Sequence, residues 1–190
     1  MGDFFGREAL VAGFIERMSQ TPSGRLLAVI GPSGSGKSSA VKAGLLPEIR
    51  GGALPGSQHW FIIEMMPGSN PLEHLKAALL RGAIHPPPNL LEALKADHHG
   101  LLGVINRILP PGDDTELLLV IDQFEELFTL TNDETQRVHF LNRLLTALEG
   151  SQTRLRVVLT LRADFYDKPL RYSSAVGRRE WSAVDDILRS

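Results

Sequence analysis

Eight consecutive residues carry the first chemistry legible in this chain. Gly31-Pro32-Ser33-Gly34-Ser35-Gly36-Lys37-Ser38 matches the pattern G-x-x-x-x-G-K-[ST] in full. Glycines let a backbone fold around a phosphate with its N–H groups turned inward, at φ/ψ values that a Cβ forbids. Lys37 is a point charge for the outer phosphates of a nucleotide, and the Ser38 hydroxyl is a hard oxygen donor suited to Mg²⁺. From Ser38 and Ser39 the chain can run on as a helix, whose unpaired N–H groups and positive dipole end would face the same anion. A glycine-rich turn with no ligand is the competing reading. The agreement of loop, lysine and serine with their flanks speaks against it.

A second constellation follows the apolar run Leu117–Ile121: Asp122-Gln123-Phe124-Glu125-Glu126. A carboxylate at the tip of a buried strand is what a phosphate loop needs opposite its lysine, where Asp122 would bind Mg²⁺ directly or through water. A further carboxylate, Glu125 or Glu126, can polarise an attacking water. If the chain turns helical straight after Asp122, both glutamates lie one turn on, near its face. The same acids would also suit the first turn of an exposed helix. Arg162 ends another apolar run, Leu155–Leu161. Ligands of open α/β sheets bind at the carboxyl ends of strands, so Arg162 is placed to meet a γ-phosphate.

The elements that must position these groups are readable from periodicity. Leu10, Val11, Phe14, Ile15 and Met18 recur at helical spacing near the start of the chain. Arg25–Ile30 reads as a buried parallel strand leading into the loop, and the helix after the loop is expected to reach Pro47. Trp60–Met65 is a second strand. Asn70-Pro71-Leu72-Glu73 is a strong helix start, with Leu72, Leu75, Leu79 and Leu80 on one face. His85-Pro86-Pro87-Pro88 is a stop. Leu90, Leu91 and Leu94, then Leu101, Leu102, Ile105 and Leu109, predict two more helices. Asn132 is the expected cap of a helix buried through Val138, Phe140, Leu141, Leu144, Leu145 and Leu148 and ended by Gly150. A short helix is expected from Trp181 to Leu188.

Bulk properties narrow the function classes. The 190 residues make about one domain, with 43% hydrophobic and 22% charged residues, as in ordinary globular proteins. A net charge of -2 gives no electrostatic reason to expect a nucleic-acid partner. The absence of cysteine excludes disulfides and thiolate metal sites and fits a reducing compartment. Apolar runs too short for a bilayer, and no signal-peptide pattern, lead to the expectation of a cytoplasmic chain without a membrane partner. His98 and His99 are adjacent and so face different ways on a helix, and they are not expected to form a metal pair.

Taken together, Phe5-Gly6-Arg7-Glu8, the phosphate loop, Ala43-Gly44-Leu45-Leu46-Pro47, Asp122-Gln123-Phe124-Glu125-Glu126-Leu127-Phe128 and Leu161-Arg162-Ala163-Asp164-Phe165-Tyr166 resemble the NTPase domain of the STAND class, in particular the novel STAND NTPases of bacteria. The resemblance covers about residues 3 to 168. It implies an α/β fold: a three-layer α/β/α P-loop NTPase with a mainly parallel sheet, of the ASCE type. In that sheet the strand carrying Arg162 lies between the P-loop strand and the Asp122 strand. It implies ATP or ADP with Mg²⁺ as ligands, Arg162 as a sensor of the γ-phosphate, Phe5-Gly6-Arg7 against the adenine or ribose, and Glu125, the first of the acidic pair, as the base. It further implies slow hydrolysis and a switch between a closed ADP state and an ATP state that associates with itself or with protein partners. Residues 1–168 are thus expected to be the NTPase core, and 169–190 an extension left from a larger architecture. Two other readings stay open: a nucleotide-binding module without turnover, and a small-molecule kinase, since guanylate kinases carry a similar loop.

Overall fold

The computed structural model describes residues 2–20, 23–82, 87–112, 115–150 and 152–172; the side chains of residues 2–7, 23 and 170 lie outside that description. The expected helix at Trp181–Leu188 and the first half of the His85–Pro88 stop are likewise outside it.

Helix α1 (Gly2–Ser19) buries Val11, Phe14 and Met18, three positions of one helical stripe, while Leu10 points to solvent. A 3₁₀ turn, Ser23–Arg25, leads into β1 (Leu26–Gly31). After the loop, α2 (Lys37–Ser39), a π-helical stretch (Ala40–Leu45) and α3 (Leu46–Arg50) run on as one rod. The helix therefore passes Pro47, where sequence reasoning ends it. Proline has no N–H for the carbonyl four residues back, and its ring needs room there. The wider π turn supplies that room: the Leu46 N–H donates to the Val41 carbonyl, five residues back.

Then come β2 (Phe61–Met65), α4 (Pro71–Gly82), α5 (Leu90–Lys95), α6 (Gly100–Ile108), β3 (Leu117–Ile121), α7 (Glu126–Thr129), α8 (Glu134–Glu149), β4 (Leu155–Arg162) and α9 (Asp167–Leu170). On α4 the buried stripe is Leu72, Leu75, Ala78 and Leu79, and Leu80 falls off its edge, 43% exposed. The cap of α8 is Asp133, not Asn132: its side chain accepts from the N–H groups of Thr135 and Gln136.

The four strands form one parallel sheet in the order β2-β3-β4-β1. The strand ending in Arg162 thus lies between the P-loop strand and the Asp122 strand, as the resemblance implies. Alternate residues feed two apolar layers. Leu117, Leu119, Ile121, Val157, Leu159 and Leu161 join the cluster under α4, α5, α6 and α8. Leu118, Val120, Val158, Leu27 and Val29 join the cluster under α1 and the rod. Both faces are covered, which is why these strands read as continuous apolar runs. On the second face α1 crosses the rod at Gly44, where an added Cβ would stand 2.7 Å from Val11 Cγ2.

A buried arginine ties the first layer together. Arg143 of α8 is 7% exposed; its Nε donates to the Leu94 carbonyl at 2.5 Å and its Nη2 to the Lys95 carbonyl at 3.0 Å, the end of α5. Burial holds this guanidinium below its ordinary pKa, and the Asp97 charge works the other way. Arg143→Met fills similar space but strands two carbonyls at a helix end. It is expected to lower stability by about 2–4 kcal/mol, read from the urea midpoint at constant m-value.

Candidate functional site

Register decides what meets at the carboxyl edge of the sheet. Gly31 pairs with Arg162, and Ile121 pairs with Leu159 on one side and Met65 on the other. β4 therefore runs past the end of β3, and Thr160 stands beside Asp122. The loop from Gly31 to Ser38, Asp122 and Arg162 lie along one edge.

Within the loop, Gly34 (φ 75) and Gly36 (φ 83) adopt the left-handed backbone that makes glycine necessary. Gly36 caps the rod, and its carbonyl accepts from the Ala40 N–H at 2.8 Å. Lys37 curls over the loop, its Nζ donating to the carbonyls of Gly31 at 2.9 Å and Pro32 at 2.7 Å.

Asp122 is the hub, a carboxylate 4% exposed. Its Oδ1 accepts from Ser38 Oγ at 2.6 Å, Thr160 Oγ1 at 2.7 Å and the Gln123 N–H at 3.1 Å. Its Oδ2 meets the Lys42 Nζ at 2.8 Å, and Lys42 lies 3.8 Å from Glu64 Oε2 on β2. Burial alone would raise the Asp122 pKa; hydrogen bonds from Lys42, Ser38 and Thr160 outweigh it and hold the carboxyl below the usual carboxylate range. For Lys42 the hydrogen bond to Asp122 is the largest influence, and its ammonium is pushed above the ordinary lysine value despite partial burial.

The chain does not turn helical straight after Asp122. Gln123 is left-handed (φ 54), and the Phe124 N–H donates to the Thr160 carbonyl at 2.9 Å, so the helix begins only at Glu126. The two glutamates consequently diverge instead of sharing one face. Glu125 Oε2 accepts from the backbone N–H of Arg162 at 3.3 Å, on the β4 side. Glu126 Oε2 accepts from the Gly68 N–H at 3.0 Å, on the β2 side, and so is taken up by a turn (Gly68 φ 60). Arg162 is held in a fork by Asp164, Nε to Oδ1 at 3.1 Å and Nη2 to Oδ2 at 2.7 Å, with its guanidinium 5.4 Å from the Phe165 ring centre.

Two cavities flank the loop. One of about 750 Å³ runs between α1 and the rod from Ser39, along Glu8, Val11, Ile15, Ala43 and Gly44. The side chains of Phe5, Gly6 and Arg7 are outside the described residues, but Glu8 of the same segment lines this cavity. The other, about 380 Å³, lies past Asp122 toward β2, between Lys42, Glu64, His74 and Arg81.

Sequence reasoning missed Thr160, Lys42, Glu64 and Asp164. Two of them carried a signal. Thr160 is the lone hydroxyl in the apolar run Val157–Leu161, and Lys42 follows Ser38 by four residues, one helical turn.

The hydroxyl of Ser38 and the carboxylate of Asp122 are hard oxygen donors from two elements, and they meet at 2.6 Å. That donor set suits a small divalent cation such as Mg²⁺. Among the described residues no helix is long and apolar enough to cross a membrane.

The chain matches the family described as Novel STAND NTPase 1 over residues 2–184. A search of curated proteins returns no match. Among solved structures it is similar to ORC2 of Aeropyrum pernix with ADPNP and ADP, at 16% identity and TM-score 0.60, over 96% of this chain and 46% of that one. The ADP form of the same protein gives 16% identity and TM-score 0.55, over 93% and 45%. Hsp104 in a closed state with ATPγS and FITC casein gives 20% identity and TM-score 0.56, over 92% and 25%. The chain spans less than half the length of each. At these identities the likeness is one of fold.

Proposed function

This chain belongs to the novel STAND NTPase 1 family, and on that premise we propose that it is an ATP-binding, slowly hydrolysing regulatory switch. Membership makes it a nucleotide-binding module of the P-loop NTPase type. The observation that carries the rest is the Ser38–Asp122 contact at 2.6 Å, buttressed by Thr160 at 2.7 Å. Three elements converge on one carboxylate beside a phosphate-binding loop.

In this reading the loop amides and Lys37 neutralise the β- and γ-phosphates, with Lys37 leaving its own loop carbonyls to do so. The apolar cavity beginning at Ser39 takes the purine. Ser38 and Asp122 would hold Mg²⁺, which would offset charge on the phosphates. Arg162 reads the γ-phosphate after giving up its fork with Asp164. Glu125, on the β4 side of Asp122, accepts the proton of the attacking water. The nucleotides bound to ORC2 and Hsp104 in similar folds support ATP and ADP as the ligands. Association with further copies or partner proteins in the ATP state is part of the same proposal.

The test is Asp122→Asn, which keeps size and one acceptor oxygen for Ser38 and Thr160 but removes the charge and the oxygen that meets Lys42. ATP affinity in Mg²⁺ is expected to fall about tenfold or more, while affinity in EDTA stays close to wild type. Calorimetric titration in both buffers reads this directly. Identical Mg²⁺ dependence in the variant would overturn the assignment of Asp122.

A further inference from the structure

Both oxygens of Asp122 are already engaged by the chain. Oδ1 is taken by Ser38, Thr160 and the Gln123 N–H, and all three can stay when a cation approaches from the Ser38 side. Oδ2 is different, because its partner is itself a cation: Lys42 Nζ at 2.8 Å. A divalent ion served by this carboxylate must share it with a full positive charge a few ångströms away, which is costly in a site this buried. The geometry also offers that charge another seat. Glu64 Oε2, at the exposed edge of β2, lies 3.8 Å from the same Nζ, and the Lys42 side chain is 44% exposed.

We propose that Lys42 is a built-in competitor of the divalent cation at Asp122, and that Glu64 receives its ammonium when the cation loads. The inference rests on the reading of Ser38 and Asp122 as the metal ligands. It assigns to two residues outside the loop and strand motifs the task of setting how much divalent ion the site requires. In this scheme the Asp122 charge is compensated at every stage, first by Lys42 and then by the metal. The carboxylate therefore stays ionised and positioned for Ser38 throughout.

The sign of each effect follows. Removing the ammonium removes the competitor, so Lys42→Met lowers the cation concentration needed. Removing the second seat traps the ammonium on Asp122, so Glu64→Gln raises it. If Glu64 acts through Lys42, it has nothing to receive once Lys42 is gone, and Glu64→Gln has no effect in a Lys42→Met background.

The experiment titrates the whole chain, saturated with ADP, with MnCl₂ and reads free Mn²⁺ from its paramagnetic resonance signal. No turnover is involved. The half-saturating Mn²⁺ concentration is expected to fall about tenfold in Lys42→Met, rise several-fold in Glu64→Gln, and match Lys42→Met in the double variant. Circular dichroism melts check that each is folded; Lys42→Gln replaces Lys42→Met if the latter is not. An unchanged or higher midpoint on removing Lys42 overturns the competitor role. An equal effect of Glu64→Gln with and without Lys42 overturns the receiving role. A wild-type chain that binds ADP but no Mn²⁺ removes the metal reading itself, and the inference with it.

Discussion

Glu125→Gln is expected to bind ATP and Mg²⁺ as the wild type does and to hydrolyse roughly 10²–10⁴-fold more slowly in a single turnover, the usual loss when a general base goes. Three features bear on the choice. Asp122 Oδ1 takes three donors, and its Oδ2 faces a cation, so this carboxylate is not available to take a proton from water. Glu126 is committed to the Gly68 N–H, away from the loop. Glu125 has one long hydrogen bond, 3.3 Å to the Arg162 N–H, at the edge where β4 meets the P-loop strand. Glu126→Gln keeps an oxygen for Gly68 and is expected to cost little in rate. Rapid-quench measurement of one turnover on both variants separates the two. Normal hydrolysis by Glu125→Gln beside a slow Glu126→Gln would reverse the assignment.

Lys37→Ala is expected to weaken ATP binding by about a hundredfold while leaving the melting curve nearly in place. A charged donor serving two phosphates is worth roughly 3 kcal/mol in such a site, which converts to that factor. The two hydrogen bonds Lys37 makes within the loop, to Gly31 and Pro32, are to carbonyls at or near the surface that water can satisfy once the ammonium is gone. Their loss is therefore cheap for the fold. Calorimetry measures the first quantity and circular dichroism the second. Unchanged ATP affinity would remove the phosphate-binding role of the loop.

The elements were legible wherever one force dominates. The runs Leu26–Ile30, Leu117–Ile121 and Leu155–Leu161 are strands because both faces are covered, which leaves them apolar but for Arg156 and Thr160 towards the two ends of β4. Misreadings cluster where two local rules compete. Pro47 should stop a helix, but the π turn before it absorbs the ring. Asn132 and Asp133 both suit a cap, and only the path of the chain picks Asp133. The acidic pair after Asp122 looked like one face of a helix until Gln123, a non-glycine residue in left-handed backbone, delayed that helix. No periodicity announces such a residue, because it is held by contacts from β4: Thr160 accepts from its N–H at 3.0 Å. The loop, Asp122 and Arg162 could be picked out by type and spacing. Lys42 and Glu64 could not be joined to them, since their meeting depends on a strand order and a rotation of the rod that are properties of the folded chain.

The overhang of β4 beyond β3 has a consequence for how this chain can change in length. Side chains along β4 alternate between the two apolar layers, so inserting or deleting one residue between Leu155 and Arg162 would invert every position after it. After a deletion Leu161 would arrive beside Asp122, Thr160 would enter the layer under α8, and the residue paired with Gly31 would no longer be Arg162. One lost residue would thus dismantle the hub, the pairing of Arg162 with Gly31 and part of the core together. Between β2 and β3 the turns at 96–99 and 110–112 are exposed and carry no such phase. Length variation among related chains should therefore gather between β2 and β3, and β4 should keep its count of residues to the last one.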